Sequence, residues 1–138
     1  DDGVITHLLQ QIGCKVTVCA NSDEGMAASL VHALMHAQQA QGWVIALGDM
    51  PYVQSATIRA LAAELARGAQ IAVPVYRGRR GNPVAFARTH LPELLTLHGD
   101  EGARRLLKTY PVVEVATADH GIVMDIDTLA DLDGSNDA

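Results

Sequence analysis

No run of lysine or arginine occurs in these 138 residues; the densest basic stretch is Arg77-Gly78-Arg79-Arg80. Ten basic against sixteen acidic side chains leave a formal charge of −6. Non-specific nucleic-acid binding works by displacing phosphate counterions with clustered cations, so no nucleic-acid partner is expected. Cysteine is scarce too. Cys14 and Cys19 have no second pair to complete a zinc pattern. Each lies in or beside apolar residues, which predicts two buried free thiols in a reducing cytoplasm. There is no signal peptide and no apolar run long enough to cross a bilayer, so no membrane association is expected. No Gly-x-Ser-x-Gly elbow occurs and neither thiol has a base nearby, which leaves covalent catalysis unsupported. His32 and His36 are four apart, but no Glu lies between them in the hydrolytic pattern and no third ligand is evident. They read as surface or packing side chains.

What is present is a globular composition, 49% hydrophobic and 19% charged, in a length suited to one domain with its own core. The chain begins Asp1-Asp2 rather than with Met, as a piece of something longer or a processed chain would. Its organising stretch is Val44-Ile45-Ala46-Leu47-Gly48-Asp49-Met50-Pro51. The apolar run predicts a short buried strand. Gly48 ends it, and Pro51 can neither donate to a ladder nor leave its predecessor helical. Asp49 is therefore expected just past the carboxyl end of a strand, the edge where open α/β sheets bind ligands. It reads equally as the cap of a helix starting near Gln54 or Ser55.

Taken in order, residues 2–12 set Val4, Ile5, Leu8, Leu9 and Ile12 at helical spacing before Gly13. Residues 15–20 alternate β-formers and predict a strand. After a polar turn at 21–25, residues 26–39 predict a helix with Met26, Leu30, Ala33, Leu34 and Ala37 on its inner face. Ser29 falls in its first turn, near free amide hydrogens that favour anions. A strand is expected over 43–47, a helix over 54–67, and a strand over 70–76 whose Pro74 suggests an edge or a break in pairing. There follow a loop at 78–82, a strand at 83–86, helices at 91–97 and 103–110, and strands at 112–116 and 122–124. A helical turn at 128–132 and a frayed polar tail at 133–138 end the chain. The alternation predicts an α/β fold with a mainly parallel sheet, interrupted by an antiparallel pair around residues 78–82.

Three turns carry carboxylates: Gly48-Asp49-Met50-Pro51, Gly99-Asp100-Glu101-Gly102 and Asp125-Ile126-Asp127. If Asp49 and Asp125 both follow strands of one parallel sheet, they share an edge and suit Mg2+, which takes few protein ligands and leaves room for phosphate oxygens. Asp127 can instead cap the last helix. Arg77-Gly78-Arg79-Arg80-Gly81-Asn82-Pro83 combines charge with glycines that admit a ligand, and fits either one phosphorylated small molecule or a solvated hairpin.

Five motifs in order resemble one family: Gly25-Met26-Ala27-Ala28-Ser29-Leu30; Leu47-Gly48-Asp49-Met50-Pro51; the stretch from Val73 through Arg77 and Arg80 to Val84; Leu97-His98-Gly99-Asp100-Glu101-Gly102-Ala103-Arg104; and Asp125-Ile126-Asp127-Thr128-Leu129-Ala130-Asp131-Leu132. Over nearly the whole chain this is similar to the molybdenum cofactor nucleotidyltransferases (MobA-like NTP transferases), most of all the cytidylyltransferase branch. The resemblance implies a Rossmann-like, three-layer α/β/α fold with a mostly parallel sheet. It implies Mg2+-dependent transfer of CMP from CTP (or GMP from GTP) to molybdopterin with release of pyrophosphate, and a molybdoenzyme or its chaperone as a further partner. It implies the catalytic metal-ligand role for Asp49, and for Asp125 that of a second ligand or a nearby polar support. Gly25, Ser29 and Gly48 fall near the nucleotide. Met50, Pro51, Gly81, Asn82, Pro83, Asp100 and Gly102 fall near the acceptor. The family usually carries His where this chain has Asn82. It also begins with a strand and a Gly-rich Arg/Lys loop that holds the triphosphate, and nothing in residues 1–20 resembles them. Residues 1–138 are thus expected to be a single domain lacking that first strand and loop, inactive alone. Other readings are a non-catalytic nucleotide- or pterin-binding remnant, and a transferase with a different phosphorylated acceptor.

Overall fold

The computed structural model describes residues 2–100 and 102–130. Helix α1 (Asp2–Gln11) leads through residues 12–21 and a 3-10 turn (Ser22–Glu24) into α2 (Met26–Met35). Strand β1 (Gly42–Ile45) and helix α3 (Ser55–Ala66) follow, then β2 (Ile71–Tyr76), β3 (Arg79–Arg80) and β4 (Val84–Ala87). A 3-10 turn (Arg88–His90), the short helices α4 (Leu91–Leu94) and α5 (Arg104–Thr109), strand β5 (Val113–Ala116) and a 3-10 turn (His120–Val123) complete the order.

The five strands form one sheet in the order β1-β4-β2-β3, with β5 on β2. β1 and β2 each pair antiparallel with β4, and β5 pairs parallel with β2, so β1, β2 and β5 all point the same way. The antiparallel interruption is the β2–β3 hairpin. Its tip, Arg77 (φ 49°) and Gly78 (φ 78°), is left-handed at both positions, as a two-residue hairpin requires. Pro74 does not mark an edge, because β2 is central. It falls between the residues that pair with β4 (Ile71, Ala72) and those that pair with β3 (Val75, Tyr76), where β2 changes partner.

Strand alternation sends side chains to two layers. Trp43, Ile71, Val73 and Phe86 meet Ala27 and Leu34 of α2, Leu91 and Leu94 of α4 and Leu106 of α5. Ala72 and Ala85 meet Leu61 of α3 on the other face. Helices therefore cover both faces, giving a three-layer α/β/α fold. The α4–α5 pair is tied at its far end, where the Tyr110 hydroxyl donates to Glu93 Oε1. That bond first, then desolvation, holds the phenol above its ordinary value. None of the described helices is long and apolar enough to cross a membrane.

Several expectations change. Residues 15–20 form no strand, since a strand exists only within a ladder and none of the described strands pairs with them. The α1 helix forms, but its apolar face stays exposed: Val4 57%, Ile5 57%, Leu8 56%. Cys14 is exposed and Cys19 half-buried, so the thiols are free but not core residues. The helix expected to reach residue 39 stops at Met35, where the His36 amide bonds Ala33 O and Leu34 O. Residues 122–124 are not a strand. Asp119 accepts from Gly121 N at 2.9 Å and closes them into the 3-10 turn, in which Ile122 is fully buried. The helical turn at 128–132 passes out of the described residues after Ala130, and the tail at 133–138 lies outside them.

Asp119 organises this end of the molecule. It is 2% exposed and also accepts from Gln54 N at 2.8 Å and Thr57 Oγ1 at 2.7 Å, across 65 and 62 residues. It thereby caps α3, whose own N-cap residue, Gln54, makes no side-chain cap. Asp119→Ala leaves three donors, two of them buried, without an acceptor and is expected to cost about 3 kcal/mol in unfolding free energy. Asp119→Asn keeps one accepting oxygen and should cost less. Urea denaturation of both variants measures the difference.

Candidate functional site

Because β1, β2 and β5 share a direction, the segments after them emerge at one edge of the sheet. Leaving β1, the chain makes a tight turn with Met50 N on Leu47 O at 3.1 Å, placing Asp49 just past the strand. After β5 it passes through Asp119 and the 3-10 turn to Asp125. Ile126 N donates to Asp49 O at 2.6 Å, and Asn82 N to Ile122 O at 2.9 Å, so three segments are stitched together through their backbones. Two glycines permit this closeness. A Cβ on Gly121 would stand 2.1 Å from Tyr52 O, and one on Gly81 would stand 2.2 Å from Ile122 O.

The stitching brings one carboxylate oxygen from each of Asp49, Asp125 and Asp127 within 4.8 Å of one another, all on exposed residues. At about 4 Å two unit charges repel by ~1 kcal/mol even in water, so three together favour a cation between them. Hard oxygen donors of this kind fit Mg2+ or Mn2+ rather than a thiophilic ion. Sequence reasoning singled out Asp49 and Asp125. It read Asp127 as a helix cap and did not single out Asp119, the residue that actually caps α3.

Beside Asp49 opens a groove of about 710 Å³ between α2, β1 and the α5 entry. Of the residues expected to bind substrates, Ser29, Gly48, Gly81, Asn82, Asp100 and Gly102 line it. Gly25 does not. It is the N-cap of α2 and is pressed against the next loop, where a Cβ would stand 2.6 Å from Gly99 O. Met50 is half-buried and Pro51 exposed in the turn beyond Asp49, and Pro83, joined to Asn82 by a cis peptide, is buried. Neither Met50, Pro51 nor Pro83 reaches the groove wall. The first two amides of α2 are not free for an anion: Met26 N donates to Asp100 Oδ1 at 3.3 Å and Ala27 N to Gly99 O at 2.9 Å. Asp100 thus serves as a remote cap, an arrangement that only tertiary contact reveals. Arg80, expected either in water or on a phosphate, lines the groove with its Nε 2.7 Å from Glu114 Oε2.

A mixed sheet covered on both faces, with carboxylates gathered beyond the strand ends, defines an α/β protein with one ligand-binding edge. Residues 2–115 match the MobA-like NTP transferase domain, and the chain belongs to that family. It is 33% identical over 121 residues to the purine catabolism protein PucB of Bacillus subtilis (strain 168), across 84% of this chain and 58% of PucB. Rv0371c of Mycobacterium tuberculosis H37Rv superposes with a TM-score of 0.69 at 36% identity, over 81% of this chain and 60% of its own. A complex of Rv0371c with manganese gives 0.65 at 37% identity, over 76% and 58%. The molybdopterin-guanine dinucleotide biosynthesis protein A of Archaeoglobus fulgidus, 19% identical, shares the fold with a TM-score of 0.68 over 99% of this chain and 74% of its own. The chain spans somewhat more than half the length of PucB and Rv0371c.

If the three carboxylates hold one ion, replacing any of them by Asn should weaken Mn2+ binding at least about tenfold. Asp23→Asn, on the Ser22–Glu24 turn, should leave it unchanged. Titration of Mn2+ followed by electron paramagnetic resonance measures both.

Proposed function

We propose that residues 1–138 belong to one nucleotidyltransferase domain that transfers CMP from CTP to molybdopterin, releasing pyrophosphate, in the cytoplasm. The observation that supports this most is the meeting of Asp49, Asp125 and Asp127, with Gly48, the residue before Asp49, in the groove wall. In such a transfer a phosphate oxygen of the acceptor attacks the α-phosphorus of CTP. A new P–O bond forms, the bond from the α-phosphorus to the bridging oxygen breaks, and pyrophosphate leaves with the electron pair. The protein's work is to position two anions and offset their charge.

Mg2+ held by the three aspartates would supply neutralisation of phosphate oxygens. The remaining work falls to the chain. Gly48 offers backbone without a side chain beside Asp49, and open space surrounds its Cβ position. Asn82, fixed by its own amide on Ile122 O, presents a neutral side-chain amide to the groove, able to donate to a pterin or phosphate oxygen. The apolar side chains of α2 and β1 exclude water from one wall of the groove. The likeness to Rv0371c, solved with manganese, adds support for a divalent ion.

The complete gene product, given CTP, Mg2+ and molybdopterin, should release pyrophosphate and form the cytidylylated pterin, with GTP a poorer donor. Asp49→Ala should lower kcat at least about a hundredfold. Product formation followed by chromatography under anaerobic conditions is the check. Absence of transfer from either nucleotide by the complete protein overturns the reading.

A further inference from the structure

Among the described residues the groove has three charged side chains: Arg80, Asp100 and Arg104. Two are engaged. Arg80 pairs with Glu114, and Asp100 caps the first amide of α2. The Arg104 side chain makes no hydrogen bond or ion pair with any described residue. Its backbone, by contrast, is well fixed. Ala103 and Leu107 pack against the core, Leu106 is fully buried, and the loop before it is held by Ala27 N on Gly99 O. A guanidinium with no partner among the described residues, on an anchored backbone and lining a groove that also takes in Gly48 next to Asp49, is arranged to receive an anion.

We propose that Arg104 binds the phosphate of the acceptor and so selects phosphorylated acceptors over their dephosphorylated forms. This rests on the reading of the groove as the acceptor side of a nucleotidyl transfer. The acceptor phosphate must approach a triphosphate and three aspartates on a chain of net charge −6, so it needs a local cation. Arg80 already shares its charge with Glu114, to which its Nε donates. Arg104 can offer two parallel N–H donors with no carboxylate beside it among the described residues.

The test uses the complete protein and two probes, molybdopterin and its dephosphorylated form. Binding is read from the emission of Trp43, the sole tryptophan of residues 1–138, which lies in the groove wall. Wild type should bind molybdopterin about tenfold or more tightly than the dephosphorylated form, and Arg104→Ala should erase that preference. Arg104→Lys should restore part of it, and Arg59→Ala, on exposed α3 surface, should change nothing. In turnover, Arg104→Ala should raise the KM for molybdopterin about tenfold while the KM for CTP and the Mn2+ affinity stay within about twofold. A merely structural role would move all of these together. The proposal is overturned if wild type shows no phosphate preference, or if Arg104→Ala retains it. Should the preference depend on Arg104 in a protein that transfers no nucleotide, the binding site stands and the assigned reaction fails.

Discussion

A buried carboxylate holds the working edge of this molecule together. Asp119 collects donors from the entry of α3 and from the turn after β5, two regions with no covalent proximity. A buried charge is tolerated only where its lone pairs are filled, and here three donors fill them. Once Asp119 is in place, Gly121 lies on Tyr52 O and Ile122 O receives the amide of Asn82. The chain then runs directly to Asp125 and Asp127. The positions of the exposed carboxylates thus follow from a side chain that is itself hidden from solvent.

The other side of the groove is set by a similar device. The loop at residues 99–100 satisfies the first amides of α2, and that contact fixes where α5 begins. Both devices replace a local helix cap by an acceptor distant in sequence. Neither α2 nor α3 has a side-chain cap of its own. Helix starts that depend on remote acceptors cannot shift independently of the loops that carry them, and those loops line or border the groove.

This explains how much the sequence could reveal. The β1 run with Gly48 and Pro51 fixed Asp49 at a strand end, because hydrophobic period and proline chemistry are local. The helix at α3 and the hairpin at Arg77–Gly78 were legible for the same reason. Residues 15–20 misled because their alternation is a capacity to pair, realised only beside another strand. Residues 122–124 misled because an apolar run is compatible with burial in any conformation, and Asp119 decided which. The strand directions were partly legible: β1, β2 and β5 agree, whereas the insertion of β4 between β1 and β2 is a topological choice with no local mark. Asp127 was visible as a residue, but its convergence with Asp49 depends on a backbone bond from Ile126.

That convergence ties the cluster to the state of the whole chain. Asp125 and Asp127 lie 76 and 78 positions after Asp49 in sequence. An unfolded chain cannot hold them together, so an ion that prefers the cluster prefers the folded protein and stabilises it in proportion to its free concentration. Without a counter-charge, the same repulsion works against the backbone bond between Ile126 and Asp49. A divalent ion held there would act on folding and on the site through a single set of atoms.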